Sequence, residues 1–283
     1  SMKIYKDIDL YKYNTMRLHS IAKVMYIPES LEELIIIIKE LRDLNIDFHI
    51  LAAGSNIIFS EEVVTPIINV MFFARDVEYM GSNEIQCGAS VRIQSLISKL
   101  KTYSLGGIEY LASVPSSVGG AVFMNAGRGR KMNLSISDYI HSVDYLDLSD
   151  MEIKTLLGNE QFSYRVSPFQ KMNVVILRVR FRFKSQSAIE TSALVKERLL
   201  YSKKVLSADK PSCGSVFCHV NPFIIRMFMG AKCGGAIFSK KTPNWISNIN
   251  GATAKNIETL VNRVIKVSKL FLCKYRVEIR FMK

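Results

Sequence analysis

Three short stretches of this chain carry residue types suited to chemistry on an anion. Residues 106–127 hold five of the fifteen glycines. Their middle, Pro115-Ser116-Ser117-Val118-Gly119-Gly120-Ala121, offers small residues, hydroxyls and backbone N–H groups, and an apolar run follows. A turn of this kind opening into a helix suits a phosphate. Glycine lets the backbone approach the anion, and the orphan N–H groups of the first helical turn face it. A tight turn between packed elements reads equally well from these residues alone. The second stretch, Gly54-Ser55-Asn56, follows the apolar run Phe48-His49-Ile50-Leu51-Ala52-Ala53. The third, Pro211-Ser212-Cys213-Gly214-Ser215-Val216-Phe217, is a small-residue turn entering an apolar segment.

The elements that must position these turns are legible in outline. Ser30-Leu31-Glu32-Glu33 is a capping-box signature, and the helix it starts runs to about Asn45. With Lys23-Val24-Met25-Tyr26-Ile27 before it and the buried run 48–53 after it, the first seventy residues read β-α-β, then a turn, then more strand. Val77-Glu78-Tyr79-Met80 and Glu84-Ile85-Gln86-Cys87 form a hairpin about Gly81-Ser82-Asn83. Residues 91–103 are helical, with Leu96, Ile97 and Leu100 on one face. Residues 139–148 and 174–183 are strands; the second half of the latter alternates Arg178, Arg180 and Arg182 with apolar residues, a solvated face. Lys184-Ser185-Gln186-Ser187 is the best boundary. Long helices follow over residues 188–206 and 253–271, and the chain closes on a strand over residues 275–282.

Bulk properties narrow the function. The chain has 283 residues, 48% hydrophobic and 22% charged, as in soluble globular proteins. Leu34-Ile35-Ile36-Ile37-Ile38 is far short of a membrane span, and the start has no apolar signal core, so a cytoplasmic protein is expected. The net charge of +13 allows nucleic acid, anionic lipid or polyanionic small molecules as partners. The basic residues are scattered rather than clustered, which argues against a nucleic-acid arm and for diphosphate-bearing ligands. Five cysteines form no C-x-x-C pair, so no disulfide framework is expected. Cys213, Cys218, His219 and Cys233 match no usual ligand spacing, so no metal is expected.

With Phe162-Ser163-Tyr164-Arg165-Val166-Ser167 placed before the third stretch, the ordered motifs resemble the UDP-N-acetylenolpyruvoylglucosamine reductase family. These flavin enzymes complete UDP-N-acetylmuramic acid for bacterial peptidoglycan. The resemblance runs from about Asn14-Thr15 to the end of the sequence. It includes Asn248-Ile249-Asn250-Gly251-Ala252-Thr253-Ala254, a helix, and Val277-Glu278-Ile279-Arg280. The Pro-Ser-Cys-Gly-Ser-Val-Phe wording is similar to the compact subtype that lacks a substrate-covering tyrosine loop.

The resemblance implies an α+β fold. A two-lobed FAD-binding fold of the vanillyl-alcohol-oxidase (PCMH) type would occupy residues 1–72 and 73–185. A C-terminal α/β substrate-binding lobe, 186–283, would send its end strand back to the active site. Ala53, Gly54, Ser55, Asn56, Ile57, Val114, Pro115, Ser116, Ser117, Gly119, Gly120, Ala121 and Asn125 would bind FAD, with the two turns donating to its diphosphate. The implied reaction is NADPH-dependent reduction of UDP-N-acetylglucosamine enolpyruvate. It needs a cation at the substrate carboxylate, an acid at the carbon to be protonated, and a polarising group. The resemblance puts these at Arg165, Ser215 and Glu278, with Asn221 and Lys241 as substrate-binding residues. A monomer without nucleic-acid or membrane partners is implied.

The sequence also departs from the family. Ser116 replaces a glycine, and Ala53 stands where a glycine or another small or polar residue is usual. Arg128-Gly129-Arg130-Lys131 stands where the family has Ala-Tyr-Gly and then a glutamate. Cys218-His219-Val220 intervenes before Asn221-Pro222, and Lys241-Thr242 stands for Lys-His. These changes fall where nucleotides are handled. They leave open a flavin oxidase or dehydrogenase of the same fold acting on another anionic substrate.

Overall fold

Ser30 starts the first helix, α1 (Leu31–Asp43), as its sequence predicts: its hydroxyl accepts the Glu33 N–H, and Glu33 reaches back to the N–H of Glu29. The computed structural model describes residues 2–129 and 132–283, so Arg130 and Lys131 of the altered loop lie outside the described residues. Leu34, Ile37, Ile38 and Leu41 form the buried stripe of α1, while Ile36 stays exposed. The sheet of this first lobe runs Lys3–Asp9, Ile21–Ile27, Ile67–Asn69, His49–Leu51, with Glu62–Val63 also pairing with Ile21–Ile27. Lys3–Asp9 gave no strand signal in the sequence. It is an edge strand with almost every residue exposed, so no inside–outside alternation marks it.

The second lobe is a five-stranded antiparallel sheet in the order Glu152–Leu157, Ile140–Asp147, Val174–Arg182, Glu84–Gly88, Val77–Gly81. Its central strand is buried on both faces at first. Val175 and Leu177 pack on the α1 stripe, while Ile176, Val179 and Phe181 join the core of the second lobe. That core also takes α2 (Ile93–Thr102) and α3 (Val118–Phe123). Each buried aliphatic contributes roughly 1.5–3 kcal/mol, so α1 bolts the first two lobes together. Arg178 and Arg182 lie on the exposed face, and Arg182 pairs with Glu84 directly opposite.

The helix α4 (Ala188–Val205) lies beyond the expected boundary at residue 186 but leans on the second lobe. Gln186 donates to Glu109 Oε1 at 2.7 Å and to Thr191 Oγ1 at 2.8 Å, and Val195 packs on the second core. The third lobe proper is the sheet Ser212–Ser215, Trp245–Asn248, Ala236–Phe238, Lys232–Cys233, with α5 (Pro222–Met227) and α6 (Ala254–Leu270). Thr253 caps α6 in a capping box with Asn256, and Ile257, Leu260, Val261 and Val264 pack against Phe238 and Ile246.

The closing strand, expected as one piece, is two. Arg276–Val277 pairs with Phe217–His219 in the third lobe, whereas Arg280–Met282 runs parallel to Ile57–Phe59 in the first. Glu278 and Ile279 lie at the crossing, and both N–H groups point to the Val216 carbonyl. A period-2 pattern cannot show that a strand changes partners midway.

Candidate active site

Residues from all three lobes line one cleft of about 920 Å³. That volume lies at the upper end for a small-molecule site. Arg165, Ser215 and Glu278 all face it, as do Ala53 to Ile57 and, from the second turn, Val114, Pro115, Ser116, Ser117, Gly119, Gly120 and Ala121.

Arg165 sits on a tight turn in which Ser163 and Val166 exchange both backbone hydrogen bonds. Its φ of +56° is a left-handed conformation that a non-glycine residue holds at a cost of roughly 1–3 kcal/mol. The surroundings enforce it. Asn125 Nδ2 donates to the Ser163 carbonyl at 2.7 Å, Arg276 Nη2 to that of Tyr164 at 3.1 Å, and Gln170 Nε2 to that of Arg165 at 3.2 Å. The guanidinium donates to the Gly127 carbonyl at 2.9 Å and stands 3.7 Å from Glu278 Oε1. Its Nε is buried without a hydrogen-bond partner. That Nε is the atom facing Glu278, too far for a hydrogen bond but within ion-pair distance.

Ser215 ends a bulged strand: the register slips between Ser212 and Ser215, and Gly214 has φ +76°. Asn244 clamps the turn that follows. Its Oδ1 accepts the Phe217 N–H at 2.8 Å, its Nδ2 donates to the Phe217 carbonyl at 2.7 Å, and its own carbonyl accepts the Val216 N–H. The Val216 carbonyl accepts from Glu278, so Ser215 and Glu278 hang on a common frame. Asn56 completes it, donating to the Glu278 carbonyl at 3.0 Å and accepting the Arg280 N–H at 2.9 Å. Burial raises the Glu278 carboxyl above its ordinary pKa, and Arg165 and then Arg276 oppose the rise. Cys213 beside it is pushed up to about 12, chiefly by burial and then by Glu278, so its thiol stays protonated and inert.

The two glycine-bearing turns differ in what they offer a ligand. The N–H groups of Gly54, Ser55 and Asn56 donate to no acceptor among the described residues. Gly54 has φ +67°, and a Cβ there would lie 2.0 Å from the Tyr13 carbonyl. In the second turn the N–H groups of Ser116, Val118, Gly119 and Ala121 are engaged by backbone carbonyls, and that of Gly120 by the Ser117 hydroxyl at 3.1 Å. Only Ser117 N–H is left open in that turn among the described residues. The cradle expected at residues 115–121 is therefore largely closed on itself, because Ala89 and Val91 supply carbonyls to it. Ser116, the departure from glycine, turns its hydroxyl to the Ser117 carbonyl at 2.9 Å.

Not every expected site residue reaches the cleft. Asn125 is buried behind its wall and holds the Arg165 turn. Asn221 caps α5, accepting the N–H groups of Phe223 and Ile224. Exposed Lys241 donates to the Lys203 carbonyl at 3.1 Å. In their place the sequence missed Asn244, Gln170 and Arg276 as holders of the site. It also gave no role to Arg280, which lines the cleft with its guanidinium carbon 4.8 Å from the Phe123 ring centroid. The lining cations Arg17, Arg165, Arg198, Lys210 and Arg280 outnumber the carboxylates Asp209 and Glu278. Such a cleft attracts anions.

Comparison with known proteins gives the arrangement a context. A family model described as an FAD binding domain matches residues 22–156, which span most of the first two lobes. A UDP-N-acetylenolpyruvoylglucosamine reductase of Francisella tularensis is 33% identical over 265 residues, covering 90% of this chain and 91% of that one. The protein of the same name from Fusobacterium nucleatum is 30% identical over 273 residues, covering 94% of each. The crystal structure of UDP-N-acetylenolpyruvylglucosamine reductase from Thermus caldophilus superposes with a TM-score of 0.78 over the whole of both chains, at 24% identity. The fold is thus the expected α+β one, a two-lobed FAD-binding unit with a C-terminal lobe.

Proposed function

Because the chain belongs to the UDP-N-acetylenolpyruvoylglucosamine reductase family, we propose that it reduces UDP-N-acetylglucosamine enolpyruvate to UDP-N-acetylmuramate with NADPH, through bound FAD. The observation that carries this reading is the convergence of Arg165, Ser215 and Glu278 on one cation-rich cleft. The residues present fit FAD. Three open N–H groups at Gly54, Ser55 and Asn56 suit its diphosphate, and the closed second turn, with Ser117 N–H and its small side chains, walls the other side. Held there, FAD would supply the hydride chemistry that links NADPH oxidation to reduction of the substrate's terminal alkene carbon.

The chain's own residues handle the charge and the proton. Negative charge builds on the substrate carboxylate as an enolate, and Arg165, which lines the cleft, offers a fixed positive charge there. Its strained turn is held on three carbonyls, so the guanidinium needs little reorganisation. Ser215 gives its hydroxyl proton to the adjacent carbon. A serine is a weak acid in water, so this step depends on a strongly basic enolate and a dry site. Glu278, 3.7 Å from Arg165, orients the guanidinium and polarises the reacting region. We read the enzyme as a cytoplasmic monomer without nucleic-acid or membrane partners. Residues 1–72 and 73–185 form the FAD-binding lobes, and residues from 186 on form the substrate lobe, with α4 as the hinge piece that packs on the second.

The purified protein is expected to be yellow and to turn over NADPH continuously only when the enolpyruvyl UDP-sugar is added. Ser215→Ala should leave flavin bleaching by NADPH intact and lower turnover by about 10²-fold or more. Loss of both steps in that variant contradicts the role of Ser215. A colourless protein that takes up no FAD, or rapid oxygen uptake indifferent to the UDP-sugar, overturns the function.

A further inference from the structure

Away from Arg165, two arginines meet on one tyrosine at the rim of the cleft. Arg198 on α4 and Arg128, which follows Gly127, hold their guanidinium carbons 5.3 and 5.1 Å from the centroid of the Tyr201 ring. Both arginines are half-buried. Arg198 gives its Nε–H to Ser113 Oγ at 3.1 Å, which leaves both terminal amino groups open. Neither guanidinium has a carboxylate partner among the described residues. Burial, and then the Arg128 charge, lowers the pKa of Arg198. The two charges therefore work against each other in a poorly hydrated place. The face of Tyr201 offsets part of this. An oxyanion between two guanidinium forks would relieve the rest.

Position and sequence point the same way. Arg198 lines the cleft with Ser113, Ser202 and Lys210. Arg128 opens the run Arg128-Gly129-Arg130-Lys131, three cations in four residues.

We propose that Arg128 and Arg198, with Tyr201 as their platform, form a phosphate-binding site for a nucleotide entering the cleft. The proposal rests on the reading of the cleft as a nucleotide-using flavin site. The ligand group is a phosphate of multiple negative charge. It comes either from the 2′-phosphate of NADPH or from the diphosphate of the UDP-sugar.

The test uses flavin-loaded wild type, Arg128→Gln and Arg198→Gln. Flavin bleaching is followed against NADPH and NADH concentration, and turnover against UDP-sugar. Removing either guanidinium should weaken one nucleotide by about tenfold while changing the saturated rate by less than about twofold, and should flatten its salt dependence. Weaker NADPH with unchanged NADH assigns the 2′-phosphate. Weaker UDP-sugar with both reductants unmoved assigns the diphosphate. Unchanged affinity for all three, or a loss confined to FAD retention, overturns the proposal. Arg128→Gln alone carries the test if Arg198→Gln fails to fold, because Arg128 meets Tyr201 from a two-residue strand, Gly127–Arg128, outside the helices and large sheets. Wild type that takes no flavin, or is not bleached by NADPH, counts against the proposed function instead.

Discussion

Residues 53–56 and residues 115–121 are both small-residue turns on the same cleft, yet they are built for opposite ends. Among the described residues, the first leaves three successive N–H groups without acceptors; the second ties five of its own to carbonyls and a hydroxyl. The richer of the two in glycine and serine is the poorer in free donors. Glycine content measures how closely a backbone can approach something, and that something can be protein. At Gly119 it is protein: a Cβ there would meet the Ala89 side chain at 2.9 Å. At Gly54 it is protein too, the Tyr13 carbonyl, yet the N–H groups of residues 54–56 find no acceptor among the described residues. One turn is a socket, the other a wall.

Substitutions can break that contrast or sharpen it. The largest effect is expected at Gly54→Ala, where the positive φ alone costs roughly 1–3 kcal/mol and the Tyr13 carbonyl blocks the new Cβ. Purified G54A should carry almost no flavin absorbance; full occupancy would remove the socket from the argument. Ser117→Ala deletes the α3 cap and should lower stability to urea by about 1 kcal/mol. Its FAD affinity should fall by no more than about threefold, and a drop of about a hundredfold would make the wall a direct binder after all. The smallest change is expected at Ser116→Gly. Loss of its bond to the Ser117 carbonyl and added chain freedom should cost about 0.5–1 kcal/mol, with an unaltered flavin spectrum. A shifted spectrum in S116G would show that the hydroxyl touches the cofactor.

What was legible in the sequence was what is decided locally. Ser30 and Thr253 cap their helices through residues three places on, so α1 and α6 were found nearly to the residue. The alternation of Arg178 to Arg182 survived because Arg178 and Arg182 stay exposed and Arg180 only half-buried. The Arg165–Ser215–Glu278 group was reached through motif order, since no local pattern brings those positions together. What failed depends on distant partners. The saturation of residues 115–121 needs the carbonyls of Ala89 and Val91, and the bracket on Arg165 draws on Asn125, Gln170 and Arg276. Asn221 is the exception, because an asparagine before a proline is a local helix-start signal. That signal was present at Asn221-Pro222 and pointed to the cap the structure shows.

The strand that changes partners at Glu278 has a consequence for the order in which the molecule is made. Asn56 and Glu278, hydrogen-bonded in the folded protein, lie 222 positions apart in sequence. A ribosome therefore releases the whole socket and both flavin lobes long before it delivers Glu278. Through that interval Ile57–Phe59 lacks its parallel neighbour Arg280–Met282, and Asn56 lacks the carbonyl it holds. An unpaired strand edge is an invitation to wrong pairing, and contacts of such long separation are slow to form. The nascent chain thus gains the partner of Ile57–Phe59 and the carbonyl held by Asn56 together, in its last few residues.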